Sequence, residues 1–502
     1  MGRKGHGLWQ VLAAAAILIG TIWLLYVVYR SPHRQDLEAF IASAVSVGTI
    51  AVSWIAWAWR AGPRADRAVG AAELDQLADL LAGAVKNQWT RAAAERGLLQ
   101  PEPIPVRWRR PSVPIAVPPR DAVGSQQFPP LPGLPTVGQQ RLRAGRIGDL
   151  HAVYGGLGSG RLIIAGAPGS GKSGAAVLLI LAALRHREDV PEDDRPRVPV
   201  PVMFTLHEWD PNRQRVHEWI ARQLQQTYPL LAGKGCAEKS AALLIEGRVA
   251  VILDGLDEIP AQLRPDALRA LSQQAAFRVV ILTRRDEMAQ AAPHGLLEGA
   301  AAVELQDIDP VTAAGYLTRA QVDPAPRGWR ELTDRLRQAP DSATAQALSS
   351  PLTLTLVRDT YRSGDEIREL LDFCDDADHH VSRDDIVGHL LDRVLPAAYA
   401  PRPGYPPPRY DLQTAQHALR CIAARMNQDG TRDLQWWRIH EWAPAAPRVI
   451  ATGLAFGVLA GLLAGHGGGR PSSTRNGPGT PPTRRHRARG ILRWVVRLGG
   501  GR

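Results

Sequence analysis

Cysteine is scarce in this sequence: 502 residues hold three, Cys236, Cys374 and Cys421. They are odd in number, far apart and without a CxxC pair. That excludes a disulfide framework and a thiolate zinc site, and it points to reducing surroundings. Lysine is almost as rare. Of the 60 basic residues only five are lysine (Lys4, Lys86, Lys172, Lys234 and Lys239). With abundant alanine, glycine and proline, this is the bias of a GC-rich bacterial genome rather than a selected arginine surface. No leucine-rich, tetratricopeptide or WD repeat recurs. No recognised nucleic-acid module accompanies the net charge of +11. The basic residues cluster instead beside a hydrophobic run (Arg60, Arg64, Arg67) and near the C-terminus (Arg484, Arg485, Arg487, Arg489). A nucleic-acid partner is therefore not expected.

Long uncharged runs are present. Residues 8–29 would extend about 33 Å as a helix, against a hydrocarbon core of about 30 Å. Residues 39–59 form a second run ending in Trp54, Trp57 and Trp59, which suit a lipid–water interface. A cleaved secretory signal is the alternative for the first run, but its apolar region is too long and the second run follows at once. Arg3 and Lys4 precede the pair and Arg60, Arg64 and Arg67 follow it, which favours both ends inside. The expectation is a multi-pass protein of a bacterial cell membrane, with the lipid bilayer as a partner and everything after residue 60 cytoplasmic. Residues 449–465, with glycine at every fourth position, sit at the lower limit for a third span; a buried hydrophobic helix is the alternative. The Arg/Gly/Pro-rich stretch 466–502 reads as a disordered tail.

The region between these runs divides by pattern. In residues 61–140, an amphipathic helix over 72–97 carries Leu74, Leu77, Leu80, Leu81, Ala84, Val85 and Trp89 at three- and four-residue spacings. Packing on the neighbouring domain is the favoured role and lying on a membrane surface the rival. Proline-rich 101–135 reads as a linker or extended wrap. Across 141–310, short apolar runs alternate with helical stretches, the pattern of a parallel sheet with crossover helices. Strands are expected at 162–165, 200–205, 249–253, 279–282 and 302–305, and helices at 173–186, 215–226, 237–246 and 264–274. Residues 311–448 look mainly helical, broken by the prolines of 396–408.

The chemistry concentrates at the end of the first of these strands. Gly166-Ala167-Pro168-Gly169-Ser170-Gly171-Lys172-Ser173 follows it directly and opens a helix through Gly174. Glycines at 166, 169 and 171 let the backbone fold around phosphate oxygens with N–H groups inward, and the helix adds its positive end. Lys172 is then the partner of the outer phosphates, and the Ser173 hydroxyl a Mg²⁺ ligand. A metal-side carboxylate is needed on a second buried strand, and Val249-Ala250-Val251-Ile252-Leu253-Asp254 supplies Asp254. Asp257 and Glu258 follow closely, and one of them, Glu258 by preference, can polarise an attacking water. The next strand ends in Thr283-Arg284, where a polar or basic side chain can report the γ-phosphate; the alternative is an ordinary surface arginine. A degenerate guanine-recognition motif is the rival reading of Thr283-Arg284-Arg285-Asp286; against it, Arg284 stands where lysine is expected. Asp257 likewise stands where a GTPase has glycine.

These residues resemble the NACHT family of STAND signalling ATPases. The specific features are Gly255 after the metal aspartate, the paired acids Asp257 and Glu258, the Thr283-Arg284 position, and Ser349-Ser350-Pro351-Leu352. The last looks like the family's proline–leucine element, with Pro351 near the adenine. Trp436-Trp437-Arg438-Ile439 also resembles a segment of a bacterial NACHT group with paired N-terminal spans. The resemblance implies an α/β P-loop NTPase core of the ASCE/STAND type: a five-stranded parallel sheet with helices on both faces and the sensor strand between the other two site strands. A helical lid and winged-helix-like region would follow. It also implies ATP and Mg²⁺ as ligands, slow hydrolysis, nucleotide-dependent homo-oligomerisation and an unknown protein partner, in a signalling switch of stress or phage defence. A mechanical ATPase that remodels or transports a partner is the alternative.

Overall fold

Five short apolar runs of the sequence come together as adjacent parallel strands, the central three (Arg161–Gly166, Val249–Asp254 and Val279–Arg284) buried on both faces. The computed structural model describes residues 70–99, 102–207, 209–233, 236–319, 321–361, 366–375, 381–401, 406–429, 434, 436 and 439–442. The chain divides into two compact units, Met1–Ala398 and Tyr399–Arg502.

The first unit opens with helix α1 (Ala71–Glu95), strand β1 (Arg107–Arg109), the short α2 (Pro119–Gly124) and β2 (Ala144–Arg146). Next come α3 (Leu150–Gly156), β3 (Arg161–Gly166), α4 (Lys172–Asp189) and β4 (Val200–Thr205). Helices α5 (Val216–Thr227) and α6 (Cys236–Ile245) lead to β5 (Val249–Asp254), and α7 (Arg264–Gln274) leads to β6 (Val279–Arg284). After α8 (Arg285–Ala291) and β7 (Ala301–Leu305) the unit is helical: α9 (Pro310–Arg319), α10 (Arg327–Gln338), α11 (Ala343–Ala347), α12 (Pro351–Thr360), α13 (Glu366–Cys374) and α14 (Arg383–Asp392). In the second unit the longest described element is the helix Leu412–Gln428, capped at its start by the Asp411 carboxylate, which accepts the Thr414 N–H.

The sheet has seven strands in the order β2-β1-β7-β3-β6-β5-β4. This corrects the expected all-parallel, five-stranded sheet. Strands β7, β3, β6, β5 and β4 are parallel, and β6 lies between β3 and β5. Beyond β7, β1 pairs antiparallel with both β7 and β2. The sequence hides this extension because each added strand is three residues long, Arg-Trp-Arg and Ala-Gly-Arg, with no apolar run. One side chain anchors it. Trp108 is fully buried and its indole N–H donates to the Arg146 carbonyl at 3.0 Å, so the proline-rich wrap contributes a strand rather than a free linker.

Helix α1 packs its apolar face on the core. Leu74, Ala78, Leu81 and Val85 are buried at spacings of three and four, whereas Leu80 stays exposed. Its polar flank is tied down by ion pairs: Glu73 with Lys239, Asp75 with Arg248, Asp79 with Arg187 and Lys86 with Glu188, at 2.6–2.8 Å. Arg187 is itself buried and also donates to the carbonyls of Arg195 and Val198.

The expectation of a multi-pass membrane protein is also corrected. Among the described residues no helix is long and apolar enough to cross a membrane. The runs 8–29, 39–59 and 449–465, and the tail 466–502, lie outside the described residues. Helix α1, the rival candidate for a membrane surface, has its apolar face occupied by the core.

Two measurements follow from this packing. Trp108→Ala removes a fully buried indole, so unfolding free energy should fall by about 3–5 kcal/mol in urea denaturation; an unchanged midpoint would show that the edge strands add nothing. The second concerns His151 of α3 and His186 of α4, whose ring centroids lie 4.9 Å apart and whose Nε2 atoms are both buried. Burial first, and the neighbouring His186 second, pull the His151 pKa from 6.5 to about 4. Between these values the unfolded chain binds the proton that the folded chain refuses, so stability falls as pH drops from 6.5 towards 4. His151→Gln should flatten that slope, and an equal slope in both proteins rules the pair out as its source.

Candidate functional site

The carboxyl ends of β3, β5 and β6 bring most of the predicted residues together. Strand β3 is buried throughout and delivers Gly166 into the loop that α4 closes. Gly171 caps α4 at φ +88°, a left-handed conformation that costs an L-residue about 1–2 kcal/mol. Ala167 and Pro168 are exposed at the tip of the loop, and Ser170 is buried beneath it. The Lys172 ammonium turns back across the loop and donates to the carbonyls of Gly166 and Ala167 at 3.0 and 2.9 Å. Gly174, in the first turn of α4, faces Leu98.

The Ser173 hydroxyl donates to Asp254 Oδ2 at 2.9 Å, joining the start of α4 to the end of β5. Desolvation raises the Asp254 pKa, opposed by that hydrogen bond and by Lys172. Desolvation lowers the Lys172 pKa, opposed chiefly by Asp257. Both charges are thus poorly solvated. A phosphate oxyanion beside Lys172 and a divalent cation beside Asp254 would each supply a missing counter-charge. Among the described residues no group of three or more His, Cys, Asp or Glu could hold a metal ion. A Mg²⁺ at Ser173 and Asp254 would therefore draw its other ligands from phosphate and water, as Mg²⁺ commonly does. The hydroxyl–carboxylate pair fits that role.

The turn after β5 is braced from below. Gly255 at φ +81° lets the chain double back, and the Glu258 N–H donates to the Gly255 carbonyl at 2.9 Å. The Glu258 carboxylate lies over Gly255, where a Cβ would sit 2.8 Å from its Oε2. Arg264 of α7 donates to the carbonyls of Asp257 and Ile259 at 2.7 and 3.0 Å. On the neighbouring strand, Thr283 and Arg284 stand in register with Ala165 and Gly166 of β3. Thr283 is fully buried. Arg284 Nε pairs with Asp257 Oδ2 at 2.9 Å and its guanidinium reaches Glu287 at 3.6 Å. Arg284 therefore belongs to the acidic cluster and is not an isolated surface arginine.

Pro351 begins α12, whose N-terminus is capped by the Ser350 hydroxyl. The proline lies against the loop: a Cβ on Gly171 would be 3.1 Å from Pro351 Cγ, and Leu352 N–H donates to the Gly169 carbonyl at 3.3 Å. Between loop and helix opens a mainly apolar cavity of ≈ 370 Å³, walled by Leu98, Ile104, Val106 and Ile147 on one side and by Pro351 and Leu352 on the other. Apart from Pro351 and Leu352, sequence reasoning missed this wall, and also Arg264 and Arg358. Their residue types carry no motif, and only the fold brings the chain before residue 150 to the loop.

Alanine at position 171 would combine the left-handed penalty with a tight approach to Pro351. Gly171→Ala should lower unfolding free energy by about 1–2 kcal/mol, whereas Gly148→Ala, where an added Cβ meets open space, should not; equal effects at both positions would contradict the geometry of the loop. No protein-family profile matches this chain, and no curated protein matches it.

Proposed function

We propose that this chain binds ATP with Mg²⁺ at the loop 166–173 and hydrolyses it slowly, working as a nucleotide-dependent switch that self-associates. One observation carries the reading: a glycine-lined loop at a helix N-terminus has its serine hydroxyl 2.9 Å from a strand-end aspartate. That is the arrangement that a phosphate-bound Mg²⁺ requires of its protein ligands. The resemblance to NACHT ATPases agrees with it.

In this reading the backbone N–H groups of 169–173 and the Lys172 ammonium take the phosphates, the ammonium leaving its two carbonyl partners. Ser173 and Asp254 would hold a Mg²⁺, which would supply positive charge to the phosphates. Glu258, on the turn after β5, accepts a proton from the attacking water, and Asp257 keeps Arg284 beside the first glycine of the loop. The base enters the apolar cavity against Pro351, where stacking and burial favour a purine over bulk water. What supports the switch is that α12 lies against both the loop and the cavity, so a nucleotide bound there would touch the helical region as well as the sheet.

The purified full chain should bind and hydrolyse ATP with a Mg²⁺ requirement. Lys172→Ala should reduce hydrolysis by on the order of 100-fold or more. Glu258→Gln should keep binding and lose turnover, and its ATP complex should be larger by light scattering than the ADP complex. Equal hydrolysis by the parent and Lys172→Ala would remove the site assignment; fast turnover without any change in size would replace the switch with a motor.

A further inference from the structure

Helix α1 ends inside the cavity. Gly97 takes φ +60°, its N–H donates to the Ala94 carbonyl at 3.1 Å, and the Leu98 N–H donates to the Ala93 carbonyl at 2.9 Å. These paired bonds are those of a Schellman cap. The cap presents Leu98 to the first turn of α4, where a Cβ on Gly174 would lie 3.6 Å from Leu98 Cδ2. Leu98 also lines the cavity. The end of a helix that begins at the N-terminal border of the described chain is therefore part of the wall beside the phosphate loop.

Arg358 of α12 holds this cap from the other side. Its Nε and one Nη fork onto Asp359 at 2.7 and 3.2 Å. Its remaining Nη donates to the Tyr316 hydroxyl of α9 at 2.7 Å and reaches the Gly97 carbonyl at 3.4 Å. The guanidinium lies so close that a Cβ at position 97 would sit 2.8 Å from it, so a larger residue there would displace the guanidinium as well as strain the backbone. The Arg358 side chain is only 14% exposed, so its bonds to Tyr316 and Gly97 are partly sheltered from water, whereas the Asp359 fork faces solvent. One guanidinium thus pins together three segments distant in sequence. Two of them, the cap and α12, also line the cavity. Further back, α1 is bound to α4 through Asp79–Arg187 and Lys86–Glu188.

We propose that Arg358 is a positioning residue that makes the α1 cap a nucleotide-sensitive wall, so that a purine base in the cavity tightens α1 and is sensed along it as far as Gly70. The inference rests on the nucleotide reading above. A ligand shifts an equilibrium only through contacts that differ between states. The contact available here is Leu98, which meets the base only while Arg358 keeps the cap against α4. At 1.5 Å per residue, α1 carries that constraint roughly 37 Å from the cavity.

The test is hydrogen exchange of the full chain with and without saturating ATP·Mg²⁺, together with ATP affinity by calorimetry. In the parent, ATP should slow exchange of amides 89–99. Arg358→Ala should weaken ATP binding roughly tenfold and, at saturation, abolish the ATP-linked protection of α1. Tyr316→Phe, which removes one hydroxyl and leaves the ring packed, should reduce that protection in part, and Arg358→Lys should not restore it because an ammonium cannot fork. Amides of β3 and β5 report whether each variant is folded. ATP binding that leaves α1 exchange unchanged in the parent, or full α1 protection in both Arg358→Ala and Tyr316→Phe, overturns this proposal alone. Failure of the parent to bind ATP overturns it together with the nucleotide reading.

Discussion

The candidate site depends on the register of three buried parallel strands, and its most direct expression is one short contact, the Ser173 hydroxyl against the Asp254 carboxylate. It joins the beginning of α4 to the end of β5, two elements whose strands are separated in the sheet by β6. Such a contact exists only if β3, β6 and β5 are parallel, in register and ending at the same level. Each of these strands is buried on both faces, so a shift in register would carry apolar residues out of the core. The core therefore fixes the strand ends, and the strand ends fix the site.

Desolvation is the second constraint. Lys172 and Asp254 lie in surroundings that lower the pKa of the one and raise that of the other. Opposite shifts of opposite charges describe a polar pocket short of water. The charge of Asp257 opposes the shift at Lys172, and the Ser173 hydrogen bond and the charge of Lys172 oppose it at Asp254. Asp257 and Arg284 add a further pair beside Gly166, so the charged groups form one cluster over three strand ends.

The regions that look peripheral in the chain are structural parts of the same pocket. The end of helix α1 and the proline-rich stretch after it supply a sheet strand through Trp108 and the cavity wall through Leu98, Ile104 and Val106. Helix α12 supplies Pro351 and Leu352 from the other side. Since both approach the loop 166–173, neither can move without changing the volume beside it. A ligand that filled that volume would touch both.

The sequence by itself determined the five parallel strands, four of the helices between them and the grouping of Lys172, Ser173, Asp254, Asp257, Glu258 and Arg284. Apolar period, strand–glycine–helix order and acid placement are local patterns, and local patterns are visible in one dimension. Tertiary structure alone decided the antiparallel extension β1–β2, because Arg-Trp-Arg and Ala-Gly-Arg have no periodicity to read and pair only where β7 offers a free edge. It also decided that Arg284 pairs with Asp257, that Arg264 braces the acidic turn, and that Leu98 and Arg358 wall the cavity. Arg264 reaches back only five and seven positions, but Arg284 and Arg358 meet partners 27 and 261 positions away, set by how the elements pack on the sheet rather than by spacing along the chain.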